Sequence, residues 1–223
     1  MKKEHLFNAL AIFISIVGSF GVERLIEYRK EQNEIKILET NLLHELEQNY
    51  YSLLSLRGVL NSVIDVSDSI TANWNSISSI KVKIFHSNSL YDKNERIELI
   101  LSNSYGLTSR NMYLNSLINS GLILKIKSSA IRNQIESVNL LVSGNYLQSN
   151  EVIENNIKDW FVKYSKKEES LNNELIFDKH KDFELYQFLT LRRRNEIYKL
   201  SGVNGNIKFL EKIINEIKAN GLF

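Results

Sequence analysis

The sequence predicts an all-α protein: one N-terminal transmembrane helix that continues into a long stalk helix and a cytoplasmic helical bundle. Three observations carry this. Residues 6–22 contain no charged side chain. Apolar residues then recur at spacings of three and four through Ile35, Leu38, Leu42, Leu46, Tyr50, Leu53, Leu56, Leu60 and Val63, the period of one helix face. Proline is absent from all 223 residues, so nothing in the backbone forces a helix to break.

The first element is the run LFNALAIFISIVGSFGV at residues 6–22, preceded by Lys2 and Lys3 and followed by Glu23, Arg24, Arg29 and Lys30. Its length is at the short end for crossing a bilayer. A secretory signal peptide shares the Lys-Lys, apolar core and small-residue order. The helical pattern runs through Glu23 without a turn, which favours a retained anchor. Arg24, Arg29, Lys30 and Lys36 outnumber Lys2 and Lys3, so the domain that follows is expected in the cytoplasm, with the span in a bacterial inner membrane.

At 100° per residue, Glu4, Asn8, Ala11, Ser15, Gly18, Ser19 and Val22 share one side of this helix, and Leu6, Leu10, Phe13, Val17 and Phe20 the other. Small residues at Ala11, Ser15 and Ser19 let backbones approach closely, and an amide at Asn8 is costly in lipid unless it meets a partner or water. Two readings stand. One is a simple anchor; the other is a self-associating helix whose stripe of Glu4, Asn8, Ala11, Ser15 and Ser19 lines a pore, with a tetramer as the first expectation.

Residues 24–66 read as the stalk: no glycine falls between Gly21 and Gly58, and about forty helical residues would reach roughly 60 Å. Leu43, Tyr51 and Leu54 widen the apolar face beyond a two-stranded coiled coil. Residues 67–223 form the helical domain. Its stretch 67–94, rich in Ser and Asn, reads as a loop between helices. Further helices are predicted at 95–103, 108–120 (stopped by Gly121), 129–142, 150–177 with Ser149 and Asn150 as its cap, 179–200 (stopped near Gly202) and 206–219. The uncharged blocks 111–124 and 137–150 read as core or subunit-contact helices.

Composition narrows the function. With 43% hydrophobic and 24% charged residues the chain is globular, and a formal charge of +2 leaves any attraction for nucleic acid or anionic lipid to local clusters. Cysteine is absent, which removes disulfides, thiolate metal sites and cysteine nucleophiles. No phosphate-binding glycine loop, dinucleotide fingerprint or zinc spacing occurs, and His5, His44, His86 and His180 are scattered. No catalytic residue, metal ligand or cofactor site is therefore assigned. The segments His44-Glu45-Leu46-Glu47 and His180-Lys181-Asp182 are read as solvated surface residues.

The strongest basic feature is Arg192, Arg193 and Arg194 with Lys199, preceded by Lys163, Lys166 and Lys167. Guanidinium groups suit phosphate, so Arg192, Arg193, Arg194, Lys199, Lys163 and Lys167 are the candidate ligand-binding set. Three consecutive arginines nevertheless fan across about 200° of a helix, so a salt-bridged face is the competing reading, with Arg192 pairing Glu196. Tyr186, Phe188 and Tyr198 could stack on bases or fill the core.

The segments ERLIEYRK at 23–30 and EIKILETNLLHEL at 34–46, with YLNSLINSGL at 113–122 and AIRNQI at 130–135, resemble a family of uncharacterised bacterial single-span proteins. The build is also similar to the membrane effector of the Hailong anti-phage defence system. That resemblance implies a homo-oligomeric ion channel in the membrane, controlled by an oligonucleotide from a partner nucleotidyltransferase. The expectation is thus a gated channel that depolarises the cell, with a non-conducting anchor or scaffold for a cytoplasmic partner as the alternative.

Overall fold

The computed structural model describes residues 2–90, 95–107, 109–142, 151–168 and 170–223, and the side chains of these except 2–10 and 138–142. Among the described residues every regular element is helical and no strand occurs. The longest, α1 (Lys2–Ala72), is one unbroken helix of 71 residues, about 105 Å at 1.5 Å per residue.

Two kinds of surface meet along α1. Residues 11–34 are exposed on every side. From Ile35 a buried stripe begins and runs through Leu42, Leu46, Leu53, Leu56, Leu60, Val63, Val66 and Ile70. The segment expected to be a stalk is therefore two things: an exposed arm up to Glu34, touched by Lys125 at Glu31, then the central strut of the bundle. The apolar repeat that predicted it is buried by other parts of the same chain.

The main cover is α8 (Phe183–Asn220), antiparallel to α1. Arg193 pairs with Asp68 near one end. Lys218 Nζ lies 2.6 Å from Glu47 Oε1 near the other, and the Leu222 N–H donates to Glu39 Oε1 at 2.7 Å just beyond the helix. Gly221 makes that last turn with φ +69, a conformation unfavourable for residues with a Cβ. The expected stop near Gly202 is absent: Val203 and Ile207 are buried against α1, and their packing outweighs a glycine cost of about 1 kcal/mol each.

Of the region 67–94, read as a loop, the described residues 67–90 are largely helical. Helix α1 continues to Ala72 because Ser67, Ser69 and Thr71 donate their hydroxyls back to the carbonyls of Val63, Asp65 and Ser67, so these side chains do not compete with the helix. A 3₁₀ turn (Trp74–Ser76) then leads to α2 (Ser79–Leu90). The Asp178 carboxylate anchors its start, accepting from Ser79 N–H at 2.6 Å and from the Ser79 hydroxyl at 2.7 Å.

Shorter helices fill the sides: α3 (Ile97–Ser102), α4 (Met112–Asn119), α5 (Ser129–Val142), α6 (Glu151–Ser165) and α7 (Asn173–His180). Gly121, at φ +72, follows α4 at the stop read from sequence. The predicted 150–177 helix divides, because Asn172 caps α7 by accepting from Leu175 N–H at 3.0 Å. The Ser149 and Asn150 cap and most of block 137–150 lie outside the described residues. In block 111–124, Leu114, Leu117 and Ile123 are core, as read from sequence.

Two apolar clusters form the core. One, nearer the arm, joins Leu42 through Leu60 of α1 with Leu114, Leu117, Ile131, Ile135 and the second half of α8. The other joins Val66 and Ile70 with Trp160, Phe161, Ile176, Phe177, Leu185 and Leu189. Between them α8 buries Arg192, Glu196 and Lys199.

No helix among the described residues is long and apolar enough to cross a membrane. The apolar run expected to span, residues 6–22, begins upstream of Ala11, the first side chain described.

Candidate functional site

Two regions were expected to carry function: the stripe on the N-terminal helix and the basic cluster. The stripe lies on the free arm of α1. Ala11, Ser15 and Ser19 are all exposed, while Glu4 and Asn8 belong to the same helix with side chains outside the described residues. The Ser15 hydroxyl donates to the Ala11 carbonyl and the Ser19 hydroxyl to the Ser15 carbonyl, both at 2.8 Å. Each hydroxyl is thereby satisfied within its own helix, and the face stays narrow. Gly18 leaves open space where a Cβ would stand. Ser15, Gly18, Ser19, Val22 and Ile26 thus form a shallow channel along the arm, with Glu23 and Glu27 at its edge. On the other sides Phe13, Val17, Phe20 and Leu25 are uncovered.

Instead of meeting at one site, the basic residues take up separate structural duties. Arg192 is 4% exposed and donates through Nη1 to the carbonyls of Ile100 and Leu101 at 2.8 and 2.7 Å, and through Nη2 to that of Asn103. It satisfies the carbonyl end of α3, which has no intrahelical donors. Burial holds its pKa below the ordinary arginine value, with Glu196 the main opposing influence. Lys199, also 4% exposed, donates to the Tyr105 carbonyl at 2.9 Å and lies 3.5 Å from Glu196 Oε2. These two therefore correct the proposed ligand set: their donors face the interior, where a ligand phosphate has no access.

Arg193 is held by Asp68, which raises its pKa. Lys163 pairs with Glu184 at 2.9 Å, and that hydrogen bond raises its pKa. Lys167 lies 5.2 Å from the Tyr164 ring centroid. Arg194 covers Tyr198 at 5.6 Å and donates to its hydroxyl at 3.3 Å. The Arg192–Glu196 partnership read from sequence is present electrostatically, although backbone carbonyls are the nearer acceptors. Phe188 packs on the core, whereas Tyr186 lies beside Trp74, 5.3 Å between ring centroids.

Several residues read as solvated surface hold the fold. Glu45 is buried, and its carboxylate accepts from Tyr113 N–H at 2.9 Å and Leu114 N–H at 3.0 Å, fixing the start of α4. Asp182 caps α8 through Leu185 N–H at 2.9 Å and also accepts from Trp160 Nε1 and the Tyr164 hydroxyl. Lys181 donates to the Ile77 carbonyl at 2.6 Å. An Asp three residues before a buried leucine is a cap signature, so Asp182 was findable from sequence. Glu45 was not, because its partners lie nearly seventy positions away.

Comparison of the chain with family models, with curated proteins and with solved structures returns no match.

Proposed function

We propose that the protein is a homo-oligomeric, single-span membrane effector whose N-terminal helices assemble around an ion path, with the helical domain in the cytoplasm as the controlling part. One observation supports this above the rest: α1 carries an apolar segment, residues 11–22, that no other described residue covers, continuous in one helix with the buried strut of the domain. An uncovered helix with aromatic and aliphatic residues on several sides is unfavourable in water, and lipid together with like helices would satisfy it. Residues 6–22 would form the span, and Ala11, Ser15 and Ser19, with Asn8 and Glu4 above them, would face the assembly axis. Opening the path would depolarise the cell, as expected of an anti-phage effector controlled by a nucleotide or oligonucleotide.

A second reading, the non-conducting anchor, is favoured by the hydroxyls of Ser15 and Ser19, which are spent on their own backbone and leave little polarity for water. The absence of native cysteine allows a direct test of the assembly common to the channel reading. Single cysteines at Ser15, Ser19, Phe13 and Phe20 are oxidised in membranes. Disulfide dimers should form at Ser15 and Ser19 and be weak at Phe13 and Phe20. Equal crosslinking at all four, or none, would reject a stripe-centred assembly.

A further inference from the structure

At the end of the bundle away from the arm, the last turn of α1, the Trp74–Ser76 turn and the first turn of α8 enclose a cleft of about 340 Å³. Its wall is aromatic. Phe183 stacks on Tyr186 with centroids 6.2 Å apart and planes 20° apart, and Tyr186 adjoins Trp74. Trp74 stands edge-on against the fully buried Phe177, which ties the wall to the core. Phe183 is 69% exposed. The cap of α8 is supplied by Asp182 and its packing by Leu185, so helix formation does not require an aromatic ring at position 183.

Polar groups share the cleft. Asn73 and Asn75 line it, the Asn73 amide with one N–H already donated to the Ser69 carbonyl at 2.8 Å. Among the described residues neither the Trp74 indole N–H nor the Tyr186 hydroxyl has a protein hydrogen-bond partner. Lys81 reaches its rim, donating to the Ser76 carbonyl at a long 3.3 Å. The neighbouring carboxylates are engaged elsewhere: Glu184 by Lys163, Asp178 by Ser79, and Asp182 by the α8 cap and Trp160.

We propose that this cleft binds the base of a nucleotide, stacked on the Phe183–Tyr186 wall, with its phosphate at Lys81. A base offers a flat π-face for the rings and edge donors and acceptors for the two amides. An aromatic side chain of another protein would use the rings but leave the amides and Lys81 without a role. The cleft joins the end of α1 to the start of α8, the two helices that run the length of the bundle. Its regulatory consequence rests on the reading of the domain as the controlling part; the binding itself does not.

The test follows tryptophan emission of the full chain in detergent during titration with AMP, adenosine, inorganic phosphate and N-acetylphenylalaninamide. The chain has two tryptophans, and Trp160 is buried with its indole bonded to Asp182, so Trp74→Phe assigns the signal. AMP and adenosine should give a saturable change, phosphate and N-acetylphenylalaninamide none. Phe183→Ala and Phe183→Leu should weaken AMP about tenfold, with thermal melting confirming the fold. Lys81→Gln should remove the advantage of AMP over adenosine, and Lys208→Glu, at an exposed position far along α8, should change nothing. No response to AMP or adenosine, wild-type affinity in both Phe183 variants, or a response to phosphate or N-acetylphenylalaninamide matching that to AMP would overturn the proposal. Ion conduction plays no part in this readout, so a failure here is separate from a failure of the membrane reading.

Discussion

The Arg192 guanidinium closes the carbonyl end of α3, with Nη1 2.7 Å from the Leu101 oxygen. A sequence reading that aims three arginines at a ligand thus mistakes the first for a binding group, when it is the tie between α8 and a helix ninety positions earlier in the chain. Arg192→Met should leave the carbonyls of Ile100, Leu101 and Asn103 short of donors in a buried setting, costing about 3 kcal/mol or more. Denaturant unfolding of the variant against Arg194→Met, which should lie within about 0.5 kcal/mol of wild type, checks the assignment.

Glu196 gives a pH signature. It is 0% exposed, and burial raises its pKa above the ordinary glutamate value despite Lys199 and Arg192 nearby. The folded state therefore binds its proton more readily than the unfolded chain does. The stability it contributes is full below the unfolded pKa and is lost as pH rises through the raised folded value. Glu196→Gln should be at least as stable as wild type at pH 7.5. That difference should shrink as pH falls toward 4.5. Chemical denaturation at several pH values measures it, and a variant less stable than wild type at pH 7.5 would contradict the sign.

Ser15→Leu should weaken self-association of the arm, since a bulky side chain separates closely packed backbones. Ser15 is exposed in the monomer, so the fold should be unaffected. Native mass measurement in detergent reads the shift toward smaller species, and an unchanged oligomer would remove the stripe from the account.

The helical fold class was legible because period and composition agree: Leu42, Leu46, Leu53, Leu56, Leu60 and Val63 sit in the core where their spacing put them. What covers them was not legible. Charge runs such as Arg192 to Arg194 look solvated or ligand-facing in one dimension, and their partners, the α3 carbonyls and Asp68, are supplied by tertiary structure. Ser67, Ser69 and Thr71 read as a loop because their capacity to bond back along a helix is invisible in composition. Gly202 read as a stop because the burial of Val203 and Ile207 near it is also tertiary. The distal cleft combines Trp74 with Phe183 and Tyr186, more than a hundred positions apart, and only Tyr186 was marked from sequence.

The proposed channel requires that the assembled arms conduct ions. Purified protein is reconstituted into liposomes holding a potassium gradient and a voltage-sensitive dye, with and without AMP or short oligonucleotides. Wild type should dissipate an imposed potential in at least one of these conditions, and Asn8→Leu should abolish the flux while the oligomer persists. Liposomes that hold their potential in every condition, with the oligomer verified in the same membranes, would contradict the channel and leave the anchor in its place.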